Sequence, residues 1–356
     1  MTPRENALAI LHYQDYDALP LVHFGFWGET LRKWKEEGYL TEEEASKWAD
    51  GNEYDAMISK KLGFDFNWFK TVGNGFGLYP SFKRECVEEL PDGSRKVRDG
   101  NGVIVLEKPG VVSIPSEIDH LLKDRESYER FYKERLQFSE ERAPMSRFEP
   151  YRSTEGREQV IGLHCGSLYG EFRNWVGVEG SSYLYADDED LYCEILNDVG
   201  ELSYQLTKRA LESGAKFDYA HFWEDICFKN GPLVIPEVFD EIVGPHYKRI
   251  TDLVKSYGID IISLDCDGCI DTLIPTWFHN GVNTMFPIEV GTWNASIKPW
   301  REKYGRELRG VGGMNKNVFS HGKEAVEAEI ERLKPLIALG GYIPCPDHRI
   351  APDAEF

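Results

Sequence analysis

The 356-residue chain carries 61 acidic against 41 basic residues, a formal net charge of −20. A surface of that sign repels phosphate backbones, which excludes nucleic acid as an expected partner. The longest apolar runs, such as residues 259–264, are far too short to span a bilayer, and no N-terminal stretch combines basic residues, an apolar segment and a cleavage site, so a cytoplasmic protein with no membrane partner is expected.

A helical pattern around residues 6–13 precedes a short apolar run at 19–26 (LPLVHFGF) that reads as a buried strand. Residues 30–37 and 41–50 follow as helices, with Thr41 and Glu44 spaced as a capping box. Residues 81–113 differ in character: alternating strands around PDGS and RDGNG predict a hairpin excursion inserted in the main fold. Residues 119–146 are highly charged and predict a helical, solvated face.

From residue 159 onward strands and helices alternate. Strands are expected at 159–164, 218–222, 259–265, 284–287, 308–312 and 341–344, and helices at 188–213, 236–257, 272–280, 293–304 and 323–339. That alternation argues a parallel α/β fold. With no dinucleotide fingerprint and no phosphate-binding loop, a closed (β/α)8 TIM barrel is preferred over an open sheet, as a single domain over 1–356. The seven cysteines are odd in number and irregular in spacing, which suits reduced thiols. Cys266 and Cys269 form one C-x-x-C without the second pair that a zinc ribbon needs.

In such a barrel, chemistry sits just beyond the C-terminal ends of the strands. Polar residues recur there: His23 and Glu29, His164, Asp225 with Lys229, Asp265 and Asp267, Glu289, Asn315 with Lys316, and His348. Asp265 and Asp267 are the sharpest pair, because residues two apart on an extended chain point the same way. Two carboxylates on one side of a cavity either bind a cation or share a proton. With an imidazole from His348 they would make two oxygens and one nitrogen, a set that suits a catalytic zinc. The alternative is that the aspartates cap the following helix, a task Asp271 could also serve. His164 is either a base or a buried brace, and His23 leans structural because it lies inside the apolar run. Asp225 and Lys229 either contact substrate or form an ion pair. Glu289 is an acid, a further ligand or a helix N-terminal carboxylate.

At these residues the chain resembles the uroporphyrinogen decarboxylase superfamily. The likeness is carried by residues 230–291 (NGPLVIPEVFDEIVGPHYKRITDLVKSYGIDIISLDCDGCIDTLIPTWFHNGVNTMFPIEVG), by GVGGMNK at 310–316, by GGYIPCPDHRIAPD at 340–353 and by FGFWGETLRKW near the start. It covers most of the chain and is weakest across the hairpin insert. The resemblance implies a TIM barrel and one of two activities: cofactor-free tetrapyrrole decarboxylation, or methyl transfer to and from corrinoid (cobalamin-type) carriers. The arginine-rich N-terminal motif of the decarboxylases is missing; the region offers Glu29 and Arg32 instead. In the methyltransferase branch a His-x-Cys element and a later Cys bind zinc, and by position Asp265, Asp267 and His348 fall on those three. The expected function is therefore a methyltransferase moving a methyl group between a small methylated substrate, such as a methoxy compound, and the cobalt of a separate corrinoid protein. Asp265, Asp267, His164 and Glu289 are the expected catalytic residues; His23, Glu29, Asp225, Lys229 and Asn315 the expected substrate contacts; Asp265, Asp267 and His348 the expected zinc ligands. The alternatives are a decarboxylase of a cyclic or aromatic acid and a non-catalytic binding protein, and homo-oligomer formation is left open.

Overall fold

The computed structural model describes residues 1–109 and 115–356. Strands β1 (Val22–His23) and β2 (Phe66–Asn67) form a parallel pair, and β3 (Thr71–Val72) follows within a few residues. Then comes an excursion of β4 (Glu85–Glu89), β5 (Arg95–Arg98), β6 (Val103–Glu107) and β7 (Ser116–His120). The chain returns to the main fold with β8 (Gly162–His164) and β9 (Tyr219–Trp223). A small antiparallel ribbon, β10 (Cys227–Phe228) with β11 (Gly231–Pro232), leads to β12 (Ile262–Asp265), β13 (Thr284–Phe286), β14 (Arg309–Val311) and β15 (Tyr342–Ile343).

Among the described residues the central sheet has seven strands in the order β15-β14-β13-β12-β9-β8-β3, every pair parallel. Helices join successive strands, the arrangement of a TIM-barrel-like α/β fold. At the far end, an isolated parallel bridge joins Phe26 to Ile350, with Trp27 N–H donating to the Ile350 carbonyl and Ile350 N–H to that of Gly25. The sheet interior holds one apolar layer that includes Phe66, Trp68, Tyr219, Ile261, Phe286, Val311 and Ile343. A larger apolar cluster packs helices on the outer face of the sheet. Burial on both faces explains why these strands are near-continuous apolar runs.

The predicted strands from residue 159 onward all appear, each shortened at one or both ends, and β9 runs one residue past the expected end, to Trp223. The long helix Glu189–Glu212 forms, as does the capping box of Thr41 and Glu44. Four expectations need correction. The excursion is a four-stranded antiparallel sheet whose last strand, β7, lies beyond residue 113; residues 110–113 of the expected hairpin lie outside the described residues. Residues 119–146 are not one solvated helix: a turn of α-helix at Arg125–Ser127 passes into a π-turn at Tyr128–Tyr132 and a 3-10 turn at Lys133–Leu136. Tyr128, Tyr132, Leu136 and Arg142 are buried there, so the segment is anchored through its apolar residues despite its charge. The helix expected at 236–257 is two, Pro236–Ile242 and Gly244–Ser256, divided at Gly244-Pro245. The helix expected at 293–304 begins at Ile297, because Asn294 turns left-handed at φ 62°. Strands β2 and β3 and the helix Gly170–Asp187 were not anticipated from sequence.

Candidate active site

Parallel strands end together, so the polar residues that follow β8, β9, β12, β13, β14 and β15 lie around one rim. At its centre His348 Nε2 and Asp267 Oδ2 are 3.0 Å apart. The ring of His348 stacks on Trp27 at 5.5 Å and meets the edge of Phe24 at 5.4 Å. This packing fixes the imidazole and leaves Nδ1 without a partner; Oδ1 of Asp267 is likewise buried and unpaired. Each partner thus keeps one buried polar atom unmatched, where most buried polar groups are satisfied, and so can contact a ligand.

Three more carboxyl groups surround the pair. Asp265 ends β12 and is buried; desolvation, reinforced by Asp267 and Asp225, pushes its carboxyl well above the usual range. Desolvation and the charge of Asp267 also raise Asp225 and Glu289. Asp225 is held by Arg173, which donates to its backbone carbonyl at 2.8 Å and approaches its carboxylate at 3.4 Å, and its φ of 49° is left-handed. Glu289 accepts from Gly268 N–H at 2.6 Å and from the Thr292 hydroxyl at 2.9 Å. Gly268 has φ +81°, and a Cβ there would stand 2.4 Å from the Cys227 carbonyl oxygen. Only glycine fits, so Glu289 can grip the turn that presents Asp267.

The remaining expected residues divide. His164 ends β8 with its ring edge-on to Phe76, and burial pushes it down to about 4, so it is neutral near pH 7. His23 has both ring nitrogens committed: Nδ1 accepts from Gly25 N–H at 2.9 Å and Nε2 lies 2.8 Å from Ser59 Oγ. It braces the turn after β1. Glu29 lies in the first turn of the helix Gly28–Glu36, partly exposed. Lys229 is exposed in the turn between β10 and β11. Asn315 caps the 3-10 turn Lys316–Ser320 through its side chain, and its N–H donates to Glu329 at 2.7 Å. Asp271 accepts from the Trp300 indole at 2.6 Å.

No protein-family model matches the chain, and no curated protein matches it. A solved structure does. The chain resembles a methyltransferase in fold. That protein, a methyltransferase from Methanosarcina mazei, superposes with a TM-score of 0.59 at 15% identity, covering 100% of this chain and 95% of its own. At that identity the likeness is one of fold.

The expected zinc set is not gathered in this arrangement. Among the described residues no group of three or more His, Cys, Asp or Glu side chains is placed to hold a metal ion. Asp267 Oδ2 and His348 Nε2 face each other, and burial drives Asp265 toward its protonated form.

Three acidic residues were given no role by the sequence, although Glu224 and Asp347 stand among the polar residues at its strand ends. Asp347 is buried and accepts from Val290 N–H and Gly291 N–H, both at 2.8 Å, and from Lys316 N–H at 2.9 Å, tying the loops after β13 and β14 to its own. Glu224 accepts from the backbone N–H groups of Leu168, Tyr169 and Gly170, the Ser167 hydroxyl and the Tyr247 hydroxyl. It thereby satisfies the start of the helix Gly170–Asp187. Glu171, one residue into that helix, is raised to about 7 by desolvation and by Glu224. Signals existed for the first two, a carboxylate at a strand end, but a brace and a ligand share that signal.

Proposed function

We propose that the chain is a methyltransferase of the uroporphyrinogen decarboxylase superfamily, a single closed (β/α)8 barrel that moves a methyl group between a small methylated substrate and the cobalt of a separate corrinoid protein. The observation that carries this reading is the Asp267–His348 pair, with one free polar atom on each partner, at the strand ends of a fold shared with a methyltransferase over its whole length. Closure of the barrel is supported by the parallel pair of β1 and β2 and the Phe26–Ile350 bridge.

With a methoxy compound as donor, the O–CH3 bond breaks, its electron pair stays on oxygen, and cobalt(I) of the carrier supplies the pair for the new bond to carbon. The leaving oxygen then takes a proton. Asp265, whose carboxyl is raised by burial and by the charges of Asp267 and Asp225, is the group suited to give it. Asp267 Oδ1 and His348 Nδ1 hold the substrate's polar end, and Glu289 fixes the Asp267 turn through Gly268. His164 stays neutral and contributes a hydrogen bond rather than a charge. No step is assigned to zinc, since the donor set does not converge.

The decarboxylase reading is less well supported. Asp225, Asp267 and Glu289 give the rim a negative field, and the raised carboxyls of Asp225 and Glu289 report that repulsion or the burial behind it. Such a field disfavours an acid bearing several carboxylates.

The test is a spectroscopic assay of methyl transfer from methoxy donors to reduced corrinoid. The parent is expected to form the methylated corrinoid, Asp267→Asn to lose about 100-fold or more, and Glu289→Gln to lose less. Carbon dioxide release from a carboxylated substrate without any corrinoid would contradict the proposal.

A further inference from the structure

Between the excursion sheet and the helix Gly170–Asp187 lies a cavity of about 680 Å3 that shares no residue with the Asp267–His348 rim. One wall is β7 with the turn after it, the other the helix from Val176 onward. The helix is interrupted at Gly177, with φ 74° and ψ 169°, and a Cβ there would stand 2.5 Å from His120 Nε2 at the end of β7. A side chain at this position would meet both the strained backbone and the ring, so glycine sets how closely the two walls approach.

Part of the lining is apolar. Leu122, Val176 and Leu184 are buried, whereas Ile118 and Tyr183 are 47% and 66% exposed. The rest is acidic, with Glu117, Asp119 and Asp124 on one wall and Glu179, Asp187 and Asp188 on the other. The lysine in the lining, Lys123, is already paired with Asp119 at 2.8 Å. Asp124 accepts from Ser127 N–H at 2.8 Å, and Asp188 accepts from Leu191 N–H at 2.9 Å with Arg125 at 3.5 Å. Among the described residues Glu179 and Asp187 make no ion pair, and Glu117 reaches only His120, at 3.6 Å. His120 Nδ1 is buried without a partner.

Uncompensated carboxylates on two facing walls, with apolar surface between them, complement a cation that has an apolar body. An anion would be repelled, and a neutral apolar ligand would leave the carboxylates unmatched. A bare metal ion would make no use of the apolar surface, and among the described residues no group of three His, Cys, Asp or Glu side chains is placed to hold one. The volume suits a small molecule.

We propose that this cavity binds a linear aliphatic diamine or polyamine, with its methylenes on Leu122, Val176 and Leu184 and its ammonium ends at Glu117 of one wall and at Glu179 and Asp187 of the other. The methyltransferase reading plays no part in this inference, and either can fail without the other.

The experiment is calorimetric titration of the full chain at low ionic strength with three probes: diaminooctane (an amine at each end), octanediol (a hydroxyl at each end) and methylamine. The diamine should bind at least about tenfold tighter than either of the others, because only it uses both the charge and the apolar surface. Salt at about 0.5 M should weaken it by about tenfold. A chain of net charge −20 attracts any polyamine to its surface, so a charge-matched pair of variants decides. Glu179→Gln with Asp187→Asn should weaken the diamine by about tenfold, and Glu324→Gln with Glu327→Gln, on the helix Gly322–Ile337 outside the cavity, by less than about twofold. Val178→Trp, which fills the cavity without removing a charge, should weaken it as well. Octanediol binding as tightly as the diamine, equal losses in the two double variants, or no saturable binding of the diamine below about 10 mM would overturn the proposal. All four substituted carboxylates are exposed, so these outcomes are read on folded protein even if Val178→Trp fails to fold.

Discussion

Glu171 and the buried histidines pull stability in opposite directions with pH. Glu171 has a folded value of about 7 against an ordinary value of 4.5. Its contribution is therefore present below pH 4.5 and lost as pH rises through 7. Glu171→Gln removes the penalty of ionising a buried carboxyl. It should be more stable than the parent by about 1–3 kcal/mol at pH 8 and equal to it near pH 4, measured by urea unfolding. A pH-independent difference would mean that Glu171 ionises freely. His23 and His164 are pushed down by burial to about 3 and about 4. Both stay neutral in the folded chain while the unfolded chain takes up protons below about 6.5, so stability should fall as pH drops from 6.5 toward 4. Substituting His23 with Gln should flatten part of that slope; an unchanged slope would put the acid sensitivity elsewhere. The zinc expectation also belongs to single residues. Asp267→Ala and His348→Ala should leave the metal content of the purified protein unchanged, and loss of near-stoichiometric zinc in both would show that these side chains turn to take a metal.

Between elements, buried carboxylates replace the contacts that loops cannot make for themselves. Asp347 holds three N–H groups from the loops after β13 and β14. Asp347→Ala would leave those donors unpaired and should cost about 3 kcal/mol in urea unfolding, with a raised KM from the loosened Glu289 loop. A loss under about 1 kcal/mol would mean that water replaces the carboxylate. These braces were hidden in the sequence because their partners are distant; Glu224 and Gly170 are 54 positions apart. By contrast β12 was legible, since a run of apolar residues ending in Asp265-Cys266-Asp267 is what a doubly buried strand with a polar end looks like. Strands β2 and β3 were missed because each is two residues long, too short for any period to show. Residues 119–146 misled because charge was taken for exposure. Arg142 is buried, yet it donates to the carbonyls of Gln137, Gly75 and Gly77, so its charge serves the chain's own backbone.

At the scale of the whole molecule, alternation of strands and helices gave the parallel α/β class, and the sheet order bears it out. Among the described residues no helix is long and apolar enough to cross a membrane. The meeting of Asp267 and His348 was legible as well: they lie 81 positions apart and come to hydrogen-bond distance because both follow strands of one sheet. What sequence could not supply was which polar atoms remain free once the loops are braced, and that is what distinguishes Asp267 and His348 from His23 and Asn315. The central claim is that this pair binds a methyl donor for transfer to corrinoid. It is tested most directly by following the visible spectrum of reduced corrinoid mixed with the chain and a methoxy-aromatic donor. The account predicts methylated corrinoid with the parent and at least about 100-fold slower formation with folded Asp267→Asn. Equal rates in parent and variant, or no transfer from any methylated donor, would contradict it.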